Sequence, residues 1–351
     1  MENEKLPYIS VIIIAYNRKE FLLDAIKSAL NQTLDREYYE IIVIKNFQDD
    51  TIDNFIKENN IKGIISENKS LGGKISEALY VSKGEIVSFL EDDDLFFPNK
   101  LREVYDIFIS NPNLVYYHNN FIKTNNRLFE IDYSENKKNK KIFLKLIELN
   151  NIKTINYLIS KKLIAFNMSA ITIRKSYFND CLDILENIRI AHDMCFFFCL
   201  SGKSDTSKEI LIYDKPLSIW FIHNSWSNTS CDLEIKNFKN KNFTIAKETL
   251  NAIVYIFNEF CIKNNLYNFY DNKQPLCDYL KLTISARKSQ LYLLNEYEIN
   301  INDIKLFFKF VTMRKSIYLS GAFILVLFGK FISKKLSTKI FLYISFLLNT
   351  I

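Results

Sequence analysis

Gly84-Glu85-Ile86-Val87-Ser88-Phe89-Leu90-Glu91-Asp92-Asp93-Asp94 is the stretch whose reading decides the fold. Residues 86–90 form a short, nearly unbroken apolar run, the pattern of a strand covered on both faces. Four acids follow without a spacer, and Leu95-Phe96-Phe97-Pro98 then leads into a helical pattern, with Pro98 at its first position. Adjacent carboxylates repel one another, so a fold sets them beside a buried strand only with a compensating charge. An isolated acidic run reads as a solvated turn. At the end of a buried strand a divalent cation is the natural compensation, and hard oxygen ligands suit Mg²⁺ or Mn²⁺.

Upstream, the Val/Ile content of residues 8–14 predicts a buried strand. Asn17-Arg18-Lys19-Glu20 reads as a capping box with Asn17 as N-cap, and the helix after it puts Phe21, Leu22, Ala25, Ile26, Ala29 and Leu30 on one face. A second strand at 40–44, a helix at 51–59, a strand at 63–66 and a helix opened by Leu71-Gly72-Gly73-Lys74 complete the approach. This alternation implies parallel β-α-β units and an α/β fold whose sheet is flanked by helices on both faces. Ligands in such sheets bind at the carboxyl ends of strands. Those ends carry Ala15-Tyr16-Asn17 and the acids at 91–94.

Downstream the pattern predicts a helix at 101–110, a strand at 114–117 ending in His118-Asn119-Asn120, and a polar loop at 133–141. Helical periodicity returns at 141–149, a strand follows at 169–173, and Ser176 begins another helix. His192-Asp193 precedes a very apolar helix at 194–200, and strands at 209–213 and 217–222 end at His223-Asn224-Ser225-Trp226-Ser227. From about residue 234 the periodicity is helical, which sets the expected division: 1–233, with halves at about 1–120 and 121–233, then a helical region at 234–315 and a tail at 316–351.

Composition bounds the rest. The 351 residues are 48% hydrophobic and 15% aromatic, which supports a large core and excludes global disorder. A net charge of +6, spread over scattered lysines, argues against nucleic acid and is compatible with an anionic membrane surface. The six cysteines form no CxxC pair and have no His at zinc spacing, and Cys195 and Cys199 read as helix packing. No signal peptide is expected from the polar residues 1–5, so the expected compartment is reducing and cytoplasmic. The tail is uncharged at 316–329, carries Lys330, Lys334, Lys335 and Lys339, and is apolar again at 340–348. Its first run falls short of the roughly 20 residues that a spanning helix needs. Two readings stand: an interfacial element making peripheral contact at the cytoplasmic face of a membrane, or a helical hairpin capping the domain.

Ile9-Ser10-Val11-Ile12-Ile13-Ile14-Ala15-Tyr16-Asn17, a helix ending in Asn31-Gln32-Thr33, and the stretch at 84–94 together resemble glycosyltransferase family 2, of GT-A fold, over about residues 7–227. The resemblance implies a mixed, mostly parallel Rossmann-like sheet with a helical C-terminal region. It also implies transfer of a sugar from a nucleoside-diphosphate sugar, UDP or GDP being the bases expected, to an acceptor hydroxyl, with inversion and with Mg²⁺ or Mn²⁺. By position, Asp93 matches the metal-binding acid, and Glu91 and Asp92 match residues near the ribose and diphosphate, with Glu where the family has Asp. Asp94 matches a further supporting acid, Tyr16 the residue against the base, and Lys74 a basic residue near the phosphates. Asp193 matches the catalytic base, although Asp is also a good helix N-cap. His223 matches a late loop over the donor, and Asn167 and Ser169 an acceptor wall. One departure stands out. Lys45-Asn46-Phe47-Gln48 replaces the usual Asp-Asp-Gly-Ser, and Lys and Asn donate where a base-reading carboxylate accepts. A different base, or reading by backbone groups, is therefore open.

The acceptor expected from these readings is a lipid-linked or cell-surface glycan. A polyprenyl-phosphate sugar synthase is the alternative; a phosphate acceptor needs no strong base, and Asp193 then only positions. A degenerate GT-A binding module is another alternative. A nucleotidyltransferase needs a Gly-rich cradle after the first strand, and Ala15-Tyr16-Asn17-Arg18 has no glycine.

Overall fold

The computed structural model describes residues 6–125, 139–161, 163–190, 192–201, 205–222, 235–259, 274–294, 298–314, 317–328, 337–338 and 340. The chain forms two compact units, one of Met1–Glu148 with Lys161–Phe221, the other of Leu149–Ser160 with Ile222–Ile351.

In chain order the first unit runs β1 (Ile9–Ala15), α1 (Leu22–Leu30), β2 (Tyr39–Lys45), α2 (Asp50–Glu58), β3 (Lys62–Ile65), α3 (Leu71–Val81), β4 (Ile86–Glu91), β5 (Leu95–Phe96), α4 (Lys100–Ser110), β6 (Leu114–Thr124) and β7 (Lys141–Lys145). Helix α5 (Ile152–Ser160) belongs to the second unit. The first unit resumes with β8 (Ile171–Arg174), α6 (Leu182–Glu186), α7 (His192–Ser201) and β9 (Glu209–Phe221). Its sheet runs β3-β2-β1-β4-β8-β6-β9-β5, with β7 also paired to β9. β1 is parallel to β2 and β4, and β2 to β3. Antiparallel pairing enters where β8 joins β4 to β6.

Every residue of β1 is buried, as an unbroken apolar strand covered on both faces requires. Helix α1 buries Leu22, Ala25, Ile26 and Ala29 in the same core, and full burial of a Leu or Ile side chain stabilises by about 1.5–3 kcal/mol. A polar clamp holds the way into β4. The Ser10 hydroxyl donates to Glu40 (2.6 Å) and accepts from the Gly84 N–H (2.8 Å). A Cβ at Gly84 would lie 2.5 Å from the Ser10 nitrogen and 2.7 Å from the Ile9 carbonyl carbon.

Several expectations are corrected. Asn17 is no N-cap: α1 begins at Leu22, Phe21 precedes it with no side-chain cap bond, and Asn17 has φ 54°. Pro98 lies in the turn before α4, where the Lys100 N–H bonds the Phe97 carbonyl at 3.0 Å. The helical pattern expected at 141–149 is edge strand β7 followed by a 3₁₀ turn at Leu146–Asn150. Its half-buried Ile142 and Leu144 alternate with exposed Lys141, Phe143 and Lys145, a strand period that pairing with β9 selects. The expected strands at 209–213 and 217–222 are the single strand β9. Pro216 sits at a register shift opposite Asn120, where a missing N–H is tolerated. The expected helix at Ser176 is a 3₁₀ stretch, Lys175–Cys181, ahead of α6.

The second unit contains α5, α8 (Ile235–Phe257), α9 (Gln274–Leu293), α10 (Ile301–Arg314) and α11 (Ile317–Phe328). Leu282, Tyr292, Ile304, Phe307, Val311 and Val326 share its core. Residues 149–160, expected within the 121–233 half, join this unit: α5 buries Ile155 and Leu158, and Asn156 donates to the Met313 carbonyl at 3.3 Å. No helix among the described residues is long and apolar enough to cross a membrane. Cys181, Cys195 and Cys199 are buried free thiols, but Cys277 is disulfide-bonded, against the expectation of reduced thiols throughout.

Gly84→Ala should destabilise the protein by about 1–3 kcal/mol, because the new methyl meets backbone that cannot swing aside. Thermal melting of the variant measures this, and an unchanged midpoint would sink the close-approach argument.

Candidate active site

The parallel pairing of β1 and β4 sets Ile14 beside Glu91. Residues 15–18 and 91–94 therefore leave the carboxyl edge of the sheet side by side. Asn17 takes its left-handed conformation, which Asn tolerates better than most residues, in a clamp to the end of β2. Its N–H donates to Asn46 Oδ1 (2.8 Å), and Asn46 Nδ2 donates to Asn17 Oδ1 (2.6 Å). This turn aims Arg18 across at the acids. Arg18 Nε donates to Asp92 Oδ2 at 3.2 Å, Nη2 bonds Asp92 Oδ1, and Nη2 also lies 2.8 Å from Asp93 Oδ2.

Asp94 turns inward. Its carboxylate accepts from Ser169 Oγ (2.7 Å), Asn167 Nδ2 (3.1 Å) and the Phe221 N–H (3.2 Å). Ser169 and Asn167, expected along an acceptor wall, thus hold an acid of the turn after β4. Lys100, buried at the start of α4, extends the knot by bonding Asn119 Oδ1 and the Ser169 carbonyl (3.0 Å). Burial, then the charge of Asp93, raises the Asp94 carboxyl to about 8.

The other expected residues are placed as follows. Burial first, then the charges of Asp94, Asp93, Asp193 and Asp92, pushes Glu91 well above the usual carboxylate range. Asp193, in the first turn of α7 and not at its cap, accepts from the Met194 N–H at 2.9 Å, and the Asn167 backbone also bonds it. Burial raises it to about 6. The charge of Asp193 reaches Glu91, and a carboxylate with that pKa suits proton abstraction near neutral pH. Tyr16 is 45% exposed, with Lys74 Nζ 5.1 Å from its ring centroid. Lys74 is buried and donates to the Asn68 carbonyl, and burial lowers its pKa. The start of α3 is bound to the 182–188 segment: the Gly72 N–H bonds the Ile188 carbonyl at 3.0 Å, and a Cβ there would lie 1.9 Å from the Leu185 oxygen. Lys45 turns away from the acids and pairs with Asp53 at 2.8 Å. His223 lies outside the described residues.

Among the described residues no group of three His, Cys, Asp or Glu side chains forms a metal cage. Asp92 and Asp93 nonetheless present hard carboxylate oxygens. That donor set suits Mg²⁺ or Mn²⁺, ions bound through one or two carboxylates with the rest of the shell from substrate phosphates and water. Sequence reasoning missed Arg18 as the partner of this pair. The available signal was the cation itself, three residues beyond β1 and one strand away from acids that need a positive charge.

A folded-state carboxyl near 8 holds a proton that the unfolded chain, with an ordinary value of about 3.9, releases. Asp94 therefore makes stability fall as pH rises between about 4 and 8. Asp94→Asn keeps the shape and removes the titration, so its melting temperature should decline less steeply than that of the unaltered protein over that window. Parallel declines would show that Asp94 is charged throughout.

Comparison with known proteins agrees with this architecture. A staphylococcal structure described as S. aureus TarS 1-349 in complex with UDP-GlcNAc superposes with a TM-score of 0.53 at 16% identity, over 95% of this chain and 90% of that one. An uncharacterized glycosyltransferase of Rickettsia bellii is 33% identical over 117 residues, 32% of this chain and 16% of the relative. The Staphylococcus aureus poly(ribitol-phosphate) beta-N-acetylglucosaminyltransferase TarP is 33% identical over 104 residues, 28% of this chain and 32% of the relative. The chain thus spans well under two thirds of the curated relatives it matches. Residues 10–180, just under half of the chain, carry the paired strand ends and the acids at 91–94 and match Glycosyl transferase family 2.

Proposed function

We propose that the protein transfers a sugar from a nucleoside-diphosphate sugar to a hydroxyl of a glycan acceptor, with inversion and with Mg²⁺ or Mn²⁺. The observation that carries this reading is Asp193, poised at about 6 and near enough to Glu91 for its charge to raise that acid, which leads into Asp92 and Asp93 at the carboxyl end of β4. Asp193 takes the proton of the acceptor hydroxyl as its oxygen attacks the anomeric carbon and the bond to the diphosphate breaks. A cation on Asp93 and Asp92 would neutralise charge on the departing diphosphate. Tyr16 stacks on the base, Glu91 and Asp92 hold the ribose and diphosphate, Lys74 backs Tyr16 near the phosphates, and His223 covers the donor.

UDP is the first base to try, since the staphylococcal neighbour is described with UDP-GlcNAc, and GDP is the second. Lys45 is committed to Asp53, which leaves Asn17 and Asn46 to read the base. A cell-surface or lipid-linked glycan is the acceptor class favoured. The raised pKa of Asp193 supports a hydroxyl acceptor over a polyprenyl phosphate, which needs no base.

The test is a thermal-shift panel of UDP, GDP, dTDP, CDP and ADP with and without Mn²⁺, joined to a transfer assay. One nucleotide at about 100 times its dissociation constant should stabilise the protein by about 2.7 kcal/mol, only with Mn²⁺ and only with Asp93 intact. Asp193→Asn should keep that shift and lose transfer by about 10²–10⁴-fold, while the unaltered rate rises with pH through about 6. No shift with any nucleotide, or transfer surviving in Asp193→Asn, defeats the reading.

We further propose peripheral contact with an anionic membrane through residues 316–351. Helix α11 is uncharged over 12 residues, Ile324 is 64% exposed, and Phe308 on α10 is 53% exposed with its ring 5.2 Å from Phe323. The lysines Lys305 and Lys309 are exposed on α10 beside Phe308, and such a pattern suits a headgroup surface. Sedimentation with anionic vesicles should pull down the protein and lose the Phe308→Ser/Ile324→Ser double variant. Equal recovery of both would end the proposal.

A further inference from the structure

We propose that Arg18 is a tethered counter-cation for the Asp92–Asp93 pair, which a divalent ion must displace, and that nucleotide lowers the cost of this displacement. The inference rests on the donor-site reading above. One guanidinium spans both acids: Nε and Nη2 take both oxygens of Asp92, and Nη2 also reaches Asp93 Oδ2 at 2.8 Å. The fork is a bidentate arrangement, the stronger kind of charge-assisted bond. Its aim is set by the backbone, since Asn17 at φ 54° is held to Asn46 by two hydrogen bonds of 2.8 and 2.6 Å. Arg18 is thus a built partner of the acids. Asp92 is buried and Asp93 nearly so, so the pair needs a positive charge whether or not an ion is present.

A guanidinium on these carboxylate oxygens takes up their lone pairs and repels an incoming ion. The ion alone therefore binds against Arg18. A nucleoside diphosphate brings oxygens that accept the released guanidinium bidentately, so ion and nucleotide favour each other's binding. Without Arg18, the ion should bind more tightly by itself, and the mutual help should shrink.

The experiment titrates Mn²⁺ into the full chain, following free Mn²⁺ by its magnetic-resonance signal, with and without the nucleotide selected by the panel or, if none is selected, with UDP. Arg18→Gln should bind Mn²⁺ alone about tenfold more tightly than the unaltered protein, the factor expected for removing one charge-assisted bond. The gain should vanish in Arg18→Gln/Asp93→Asn, and Arg18→Lys, which keeps the charge without the fork, should fall between. Equal or weaker Mn²⁺ binding in Arg18→Gln, with unchanged melting, overturns the proposal. If nucleotides still shift the unaltered protein in that case, the donor-site reading survives and only the role of Arg18 falls. A tenfold gain with no nucleotide response in any form supports competition at the acids and removes the donor site.

Discussion

Like-charge crowding at the end of β4 is the constraint on which the rest of the first unit depends. Four consecutive carboxylates leave a strand buried on both faces, and Asp193 joins them from α7. The fold disposes of these charges in three ways. Asp94 is surrounded by donors and pushed towards its neutral form. Asp92 and Asp93 are met by the Arg18 guanidinium. Glu91 and Asp193 are raised by burial, so that a proton is easily kept or taken. Burial leaves Asp193 near 6, and the crowded Asp92–Asp93 pair is left in need of a positive charge.

The scaffold brings these solutions together from five sequence-distant segments. β1 and β4 are neighbours, which puts Arg18 beside the acids. The Asp94 knot pins the turn at 167–169 and the end of β9 to β4, and that turn also bonds Asp193. Gly72 lets α3, which carries Lys74, approach the 182–188 segment closely. A change at any of these joints is felt at the acids without touching them.

The first half of this architecture is legible in the sequence because its strands are fully buried. The Val/Ile runs of β1 and β2 have no competing period, and β1 to β4 lie where the pattern puts them. The second half is harder for physical reasons. Ile142, Phe143, Leu146 and Ile147 recur at helical spacing, while Ile142 and Leu144 alternate as in a strand, and only pairing with β9 decides. Pro216 reads as a break, but a register shift absorbs it. At the site, the acids and Asp193 are visible because their residue types are rare beside apolar runs. The duty of Arg18, the pairing of Lys45 with Asp53 and the inward turn of Asp94 are tertiary facts, set by which neighbour lies across the sheet.

The chain leaves the first unit after Glu148, returns at Lys161 and leaves again after Phe221. The intervening helix buries Ile155 and Leu158 among elements that come later in the sequence. A shortened protein ending at Phe221 would keep that helix and lose what covers it, offering apolar surface to any passing chain. Proteolytic trimming or recombinant dissection at the obvious C-terminal border is thus a route to aggregation, and a working catalytic fragment has to replace residues 149–160 with a polar loop as well.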